Sequence, residues 1–215
     1  MNMDEKSFDL SVATYLEQLA RAAPVPGGGG VAALGGATAA ALVSMVCNLT
    51  IRMARHADVE DGMRDLLDRA EALRHELQEL AKADVAASNR LLASYELPRT
   101  TESDIAIRRD AIQSSRRRVT EVPLRTARAA AAVVGLCLGA AERGNPAAVD
   151  DVGGAALYAH AAIRAALLHV ESNLRALEDT LYVRQVRAEV ARLTDGLEGE
   201  AARIVELVQS KINAR

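Results

Sequence analysis

From Val31 to Ile51 the chain carries no charged side chain, and that stretch limits the molecule to few architectures. Its length suits a membrane span, but it is rich in Ala and Gly and holds Thr38, Ser44, Asn48 and Thr50. Such a segment fits a helix buried on all sides of a bundle better than one in lipid, so no membrane is expected as a partner. Half of the 215 residues are apolar, yet only 2% are aromatic, with no Trp and the single Phe8. The core must then come from Ala, Leu, Val and Ile on closely approaching helices. This reads as an all-α helical bundle with long antiparallel helices, one of them Ala/Gly-rich and buried, in a single domain over residues 1–215.

Charge and cysteine usage narrow the function. A formal charge of −3 removes the electrostatic ground for binding nucleic acid, and the scarcity of aromatics removes the stacking ground. Cys47 and Cys137 lie in apolar runs without metal-ligand spacing and read as small buried hydrophobes of a reducing compartment. The start, MNMDEKSFDL, is acidic and polar where an export signal is basic and then apolar, so a cytoplasmic protein is expected.

Along the chain, Ser11 suits the cap of a first helix, ended by Pro24 and Pro26. Gly27 to Gly30 then lead into the uncharged helix, expected to reach about Arg55. From Val59 to Tyr95, apolar residues step by four and three, a heptad seam that predicts a long helix paired lengthwise. Asp84 falls where the seam calls for an apolar residue, and an unpaired buried carboxylate costs several kcal/mol. Leu97-Pro98 breaks that helix, and Thr101 with Asp104 three residues on makes a weaker relative of the capping box for the next. Glu121-Val122-Pro123 predicts a break or kink, with a second small-residue helix over Leu124 to Ala141 that Gly144-Asn145-Pro146 stops. Asp150 or Asp151 suits the cap of the following helix, and the tail repeats a nearly heptad stripe.

Several constellations admit two readings. Pro26 to Gly36, PGGGGVAALGG, offers exposed amides at a helix start, suited to anionic or electron-rich atoms, or is a plain tight turn. Gly28, Gly30 and Ala33 meet a loosened dinucleotide fingerprint, but the strand it requires is missing. Seven arginines from Arg108 to Arg128 read as a solvated face balanced by Asp104, Asp110 and Glu121, or as a grip for a substrate carboxylate. The histidines at 56, 75, 160 and 169 form no metal-binding pair, and His160 and His169 point to opposite sides of one helix. Ser44, Asn48 and Thr50 suit either back-bonding to their own helix or lining a site.

Taken in order, Tyr15 to Ala20, Pro24 to Gly29, Ala32-Ala33-Leu34, Ala41 to Met45, Asn48 to Thr50, Asp84, Tyr95 to Pro98, Glu121 to Leu124, Gly144-Asn145 and Asp151-Val152-Gly153 carry a specific pattern. By these residues the chain resembles the cyclodeaminase/cyclohydrolase family, which acts on reduced folates. The resemblance implies a homodimeric helical bundle that binds its substrate near the subunit interface and needs no metal or redox cofactor. It also implies Gly27, Gly28, Gly29 and Gly30 as a ligand loop, Asp84 and Asp151 as acid/base carboxylates, and Ser44, Asn48, Glu121 and Asn145 as supporting polar groups. The chain departs from the pattern at Gly30, where serine is usual, and at His56, Ser88, Ala147 and Asp150. The expected reaction is hydrolysis of N5,N10-methenyltetrahydrofolate to 10-formyltetrahydrofolate, since no formiminotransferase half accompanies this domain. Formiminotetrahydrofolate cyclodeamination and a noncatalytic folate-binding or scaffold dimer are the alternatives.

Overall fold

The computed structural model describes residues 11–53 and 58–214; Phe8, Arg55 and His56, singled out above, lie outside them. Among the described residues every regular element is helical. Ser11 accepts from the Thr14 amide and starts α1, Val12–Leu19. After the Pro24–Gly27 bend come α2, Gly28–Ile51, and α3, Glu60–Tyr95. Then follow α4, Glu102–Arg143, a short 3-10 turn at Pro146–Ala148, α5, Val149–Leu174, α6, Thr180–Thr194, and α7, Leu197–Asn213. The α4 start is a capping box at the expected residues, with Thr101 accepting from the Asp104 amide and Asp104 from the Thr101 amide.

The four long helices pack in the order α2, α3, α4, α5, each neighbour antiparallel, and α7 lies on α4 and α5. Opposed residues give the register: Gly29 against Asp84 and Gly36 against Leu77 along α2–α3, and Gly28 against His169 and Gly35 against Ala162 along α2–α5. Small residues make this closeness possible. A Cβ at Gly36 would stand 3.1 Å from Leu77 Cδ2 and 3.5 Å from Ala130 Cβ. The core holds Ala33, Val43, Val46, Met63, Leu77, Val133, Val152 and Ile163, all fully buried, and among the described residues no aromatic side chain is fully buried in it. Cys47 and Cys137 are free and buried there, and burial pushes their thiols up to about 11 and about 12.

Three expectations are corrected. Glu121-Val122-Pro123 does not divide the fourth helix, which runs unbroken through Pro123 because Val122, Pro123 and Leu124 are all buried against its neighbours. Neither Asp150 nor Asp151 caps α5: Ala148 holds the cap position, and both acids sit in the first turn, where the helix dipole favours them. Nor is α2 buried on every side. Val31, Met45 and Leu49 are 38–40% exposed and, with Thr38, Ala41 and Asn48, form an outward stripe without charge. The membrane-like hydropathy of α2 coincides with a window that is 61% buried in the bundle.

Of the acids expected to balance the arginines of α4, Glu121 does so, and the other partners come from α3, from the α5–α6 link and from α6. Arg109 pairs with Glu178, Arg117 with Asp179, Arg128 with Glu189 and Glu121, and Arg125 with Glu76. Asp104 is spent on its cap. Exposed pairs of this kind each contribute little, but several tie the α5–α6 link and α6 to α4.

Candidate active site

Where α2 begins, Pro24, Gly27, Gly28 and Gly29 face Asp84, Ser88, Leu91 and Leu92 of α3, Val119 of α4, and His169 and Asn173 of α5 across a cleft of about 280 Å3. The first amides of a helix have no intrahelical acceptor, and Gly27 supplies no side-chain cap. Asp84 takes that place from another helix, receiving the Gly30 amide. Here glycine is required by closeness. A Cβ at 29 would overlap the Asp84 carboxylate, and one at 28 would lie 2.7 Å from His169 Nε2.

The carboxyl of Asp84 is raised above its ordinary range by burial, while the His169 imidazole and the Gly30 amide oppose that rise. A carboxyl so placed holds or releases a proton more readily near neutrality than an exposed one does. Asn173 is fixed at the edge of the cleft: its Nδ2 donates to the Val119 carbonyl at 2.7 Å. That carbonyl is available because the residue four positions on is Pro123, which has no N–H to offer it. The proline read as a helix breaker is the reason α4 has an acceptor for a site residue of α5.

The residues singled out in sequence separate into groups. Gly27, Gly28, Gly29 and Asp84 meet in the cleft, with Gly30 just behind them. Asp151 is half-buried in the first turn of α5, about 27 Å along that helix from His169 at 1.5 Å per residue. Asn145 is buried at the same far end, its Oδ1 accepting from the Ala147 amide at 3.0 Å and its own amide donating to Thr50 Oγ1 at 2.8 Å. Ala147 contributes only backbone to this turn. Asn48 back-bonds to the Ser44 carbonyl at 3.0 Å. Ser44 itself is buried near Glu71, whose carboxyl falls to about 2 chiefly through its bonds from Arg74. Glu121 pairs with Arg128 at 3.1 Å and borders a separate cleft with Arg90, Arg117, Arg118 and Tyr182. Within one chain, then, Asp151, Ser44, Asn48, Glu121 and Asn145 stand away from the glycine turn.

His169 and Asn173 were not anticipated as site residues. Their spacing of four puts them on one helix face, a signal that does not by itself tell a site from a surface pair. Among the described residues no three His, Cys, Asp or Glu side chains are grouped to hold a metal ion.

Comparison with known proteins decides the family. A profile of formiminotransferase-cyclodeaminase matches residues 11–192. The chain belongs to this family. It is 39% identical over 207 residues to a methenyltetrahydrofolate cyclohydrolase of Methylorubrum extorquens, covering 94% of this chain and 98% of that one. It is 26% identical to the formimidoyltransferase-cyclodeaminase of Rattus norvegicus, covering 97% of this chain but 38% of the rat protein. Among solved structures, a formiminotetrahydrofolate cyclodeaminase of Thermotoga maritima superposes with a TM-score of 0.83 at 26% identity, over 94% of this chain and 98% of that one. Folate one-carbon chemistry of the cyclohydrolase/cyclodeaminase type is thus the activity of this formiminotransferase-cyclodeaminase relative at family level.

Proposed function

We propose that this chain hydrolyses N5,N10-methenyltetrahydrofolate to 10-formyltetrahydrofolate, with Asp84 as the principal acid/base group. The half-buried carboxyl of Asp84, held between the start of α2 and His169, carries this reading. The nearly full-length match to a cyclohydrolase at 39% favours it over the cyclodeaminase alternative, supported at 26% by the Thermotoga structure.

In the proposed reaction the substrate's amidinium carbon, between N5 and N10, is cationic and lies beside Asp84. The carboxylate stabilises that charge and takes a proton as water adds to the carbon. The neutral tetrahedral adduct then breaks its C–N5 bond. A proton passes from the Asp84 carboxyl to N5, the adduct hydroxyl loses its own, and the carbon becomes the formyl group on N10. Overall one water is consumed and one proton released. His169 stands on the other side of the turn as a second proton site, and the Asn173 amide orients the ligand.

The substrate's glutamyl carboxylates have a basic surface to meet. A cleft of about 370 Å3 is lined by Arg99, Arg108, Arg109, Ile105, Ile112, Gln113 and Glu178. Arg108 and Ile112 lie on the same face of α4 as Val119, which places Arg108 about 16 Å from the reactive end. Arg108→Ala is expected to raise KM more than it lowers kcat.

The chain acts as a homodimer in this proposal, through the uncharged stripe of α2 and the adjoining Leu157, Tyr158, Ala161 and Leu168 of α5. A two-fold pairing centred near Thr38 and Ala41 sets the Asn48 end of one α2 beside the Val31 end of the other. Asp151 and Asn48 of one protomer then approach Asp84 of its partner, and the two carboxylates meet in trans.

The deciding experiment follows loss of the methenyl chromophore and, separately, ammonia release from formiminotetrahydrofolate. Methenyl loss without ammonia supports the hydrolase. Ammonia release selects the cyclodeaminase, and folate binding without either reaction selects a noncatalytic dimer. Mixing Asp84→Asn with Asp151→Asn protein tests the shared site: random re-pairing restores about a quarter of the wild-type rate if the acids act across the interface. No recovery from two inactive variants rules out the shared site, and an Asp151→Asn protein active by itself places Asp151 outside the chemistry.

A further inference from the structure

The α1 helix is poorly integrated: Val12 is 76% and Leu16 55% exposed, and no residue of it is fully buried. Yet the Tyr15 hydroxyl oxygen is buried, and it lies over Gly30 in the first turn of α2. A Cβ at Gly30 would be 3.8 Å from Tyr15 Oη, 3.7 Å from Asp84 Oδ2 and 3.7 Å from the Ala81 carbonyl oxygen. The phenol and the carboxyl therefore face one small space above Gly30. Asp84 Oδ1 is the oxygen nearest Gly29, so Oδ2 is the one turned toward Tyr15.

We propose that Tyr15 is a positioning residue for Asp84, its hydroxyl steadying Oδ2 from the side opposite His169 and fastening α1 over the start of α2. This rests on the acid/base role of Asp84 proposed above. Burial raises the Tyr15 phenol above its ordinary range and the Asp84 charge raises it further, so the hydroxyl keeps its proton and serves as a donor. A donor favours the charged carboxylate and works against the burial that favours the neutral form. The other groups facing Asp84 are the His169 imidazole from α5 and the Gly30 amide from α2; α4 brings only Val119 to the cleft.

The test pairs Tyr15→Phe with the double variant Tyr15→Phe/Gly30→Ser, measured beside Asp84→Asn. A hydrogen bond to a charged group is worth about tenfold or more, so Tyr15→Phe is expected to lower kcat about tenfold, leave KM nearly unchanged, and move the acid limb of the pH profile upward. The space above Gly30 accepts a Cβ in ordinary contact, and a serine hydroxyl there reaches toward Oδ2. The double variant is therefore expected to regain most of the lost kcat and the original acid limb. A Tyr15→Phe protein with wild-type kcat and pH profile overturns the proposal while Asp84→Asn, if inactive, leaves the mechanism standing. Lowered activity with an unmoved acid limb and no rescue by serine also overturns it, because that is the signature of a merely structural tyrosine. An active Asp84→Asn overturns both.

Discussion

Asp84 serves two masters at residue scale, since the carboxyl that receives an amide of α2 is also the group assigned to the chemistry. The two roles predict different things. As general acid/base it should cost about 100-fold or more in kcat when changed to Asn. Its carboxyl is raised in the folded protein, so the stability it lends is present in full below the ordinary carboxylate value and is lost as pH rises through the folded value. Asp84→Asn is thus expected to match or exceed wild type in denaturant unfolding at pH 7 to 8, with the difference closing toward about pH 4. A carboxylate that merely held the helix would give the reverse at neutral pH. The glycines supply a contrast of their own. Gly29→Ala should abolish turnover by displacing the carboxylate, whereas Gly35→Ala, whose Cβ would rest 3.7 Å from that of Ala162, should keep activity per folded molecule.

Among the elements, α4 connects an ordinary helix rule to the site. Pro123→Ala should raise the melting temperature, because it restores an amide in the helix interior, and should lower kcat/KM, because that amide takes the Val119 carbonyl from Asn173. Asn173→Ala should lower activity and cost about 1–3 kcal/mol, read from chemical denaturation, by leaving that carbonyl without its donor. Helix ends were legible in sequence wherever local chemistry sets them: Ser11, the Thr101–Asp104 box, and the stops at Pro98 and Gly144-Asn145-Pro146. The continuity of α4 was not, because a single proline forfeits one hydrogen bond while burial on both sides carries the helix onward. Asp84 was legible because it violates an apolar period. His169 and Asn173 were not, since a polar pair four apart near a helix end looks like surface until the register against α2 is known.

For the whole molecule, the proposed pairing face makes the sharpest demand. Leu157 is 57% and Leu168 75% exposed, beside the uncharged stripe of α2. Leu157→Glu with Leu168→Glu should convert a dimer to monomers in sedimentation equilibrium, keep the helical circular dichroism, and lose turnover if the site is shared between subunits. Retained dimer with normal rate would move the interface elsewhere. The aliphatic interior has a practical corollary. All four tyrosines lie outside the buried core and there is no tryptophan, so ultraviolet emission says little about the packed centre. Instead Tyr15 watches the glycine turn, Tyr158 the outer face of α5, and Tyr95 and Tyr182 the guanidinium groups stacked on them. Replacing three of the four by Phe leaves a single-site optical probe of whichever region is wanted, built from residues the protein already carries.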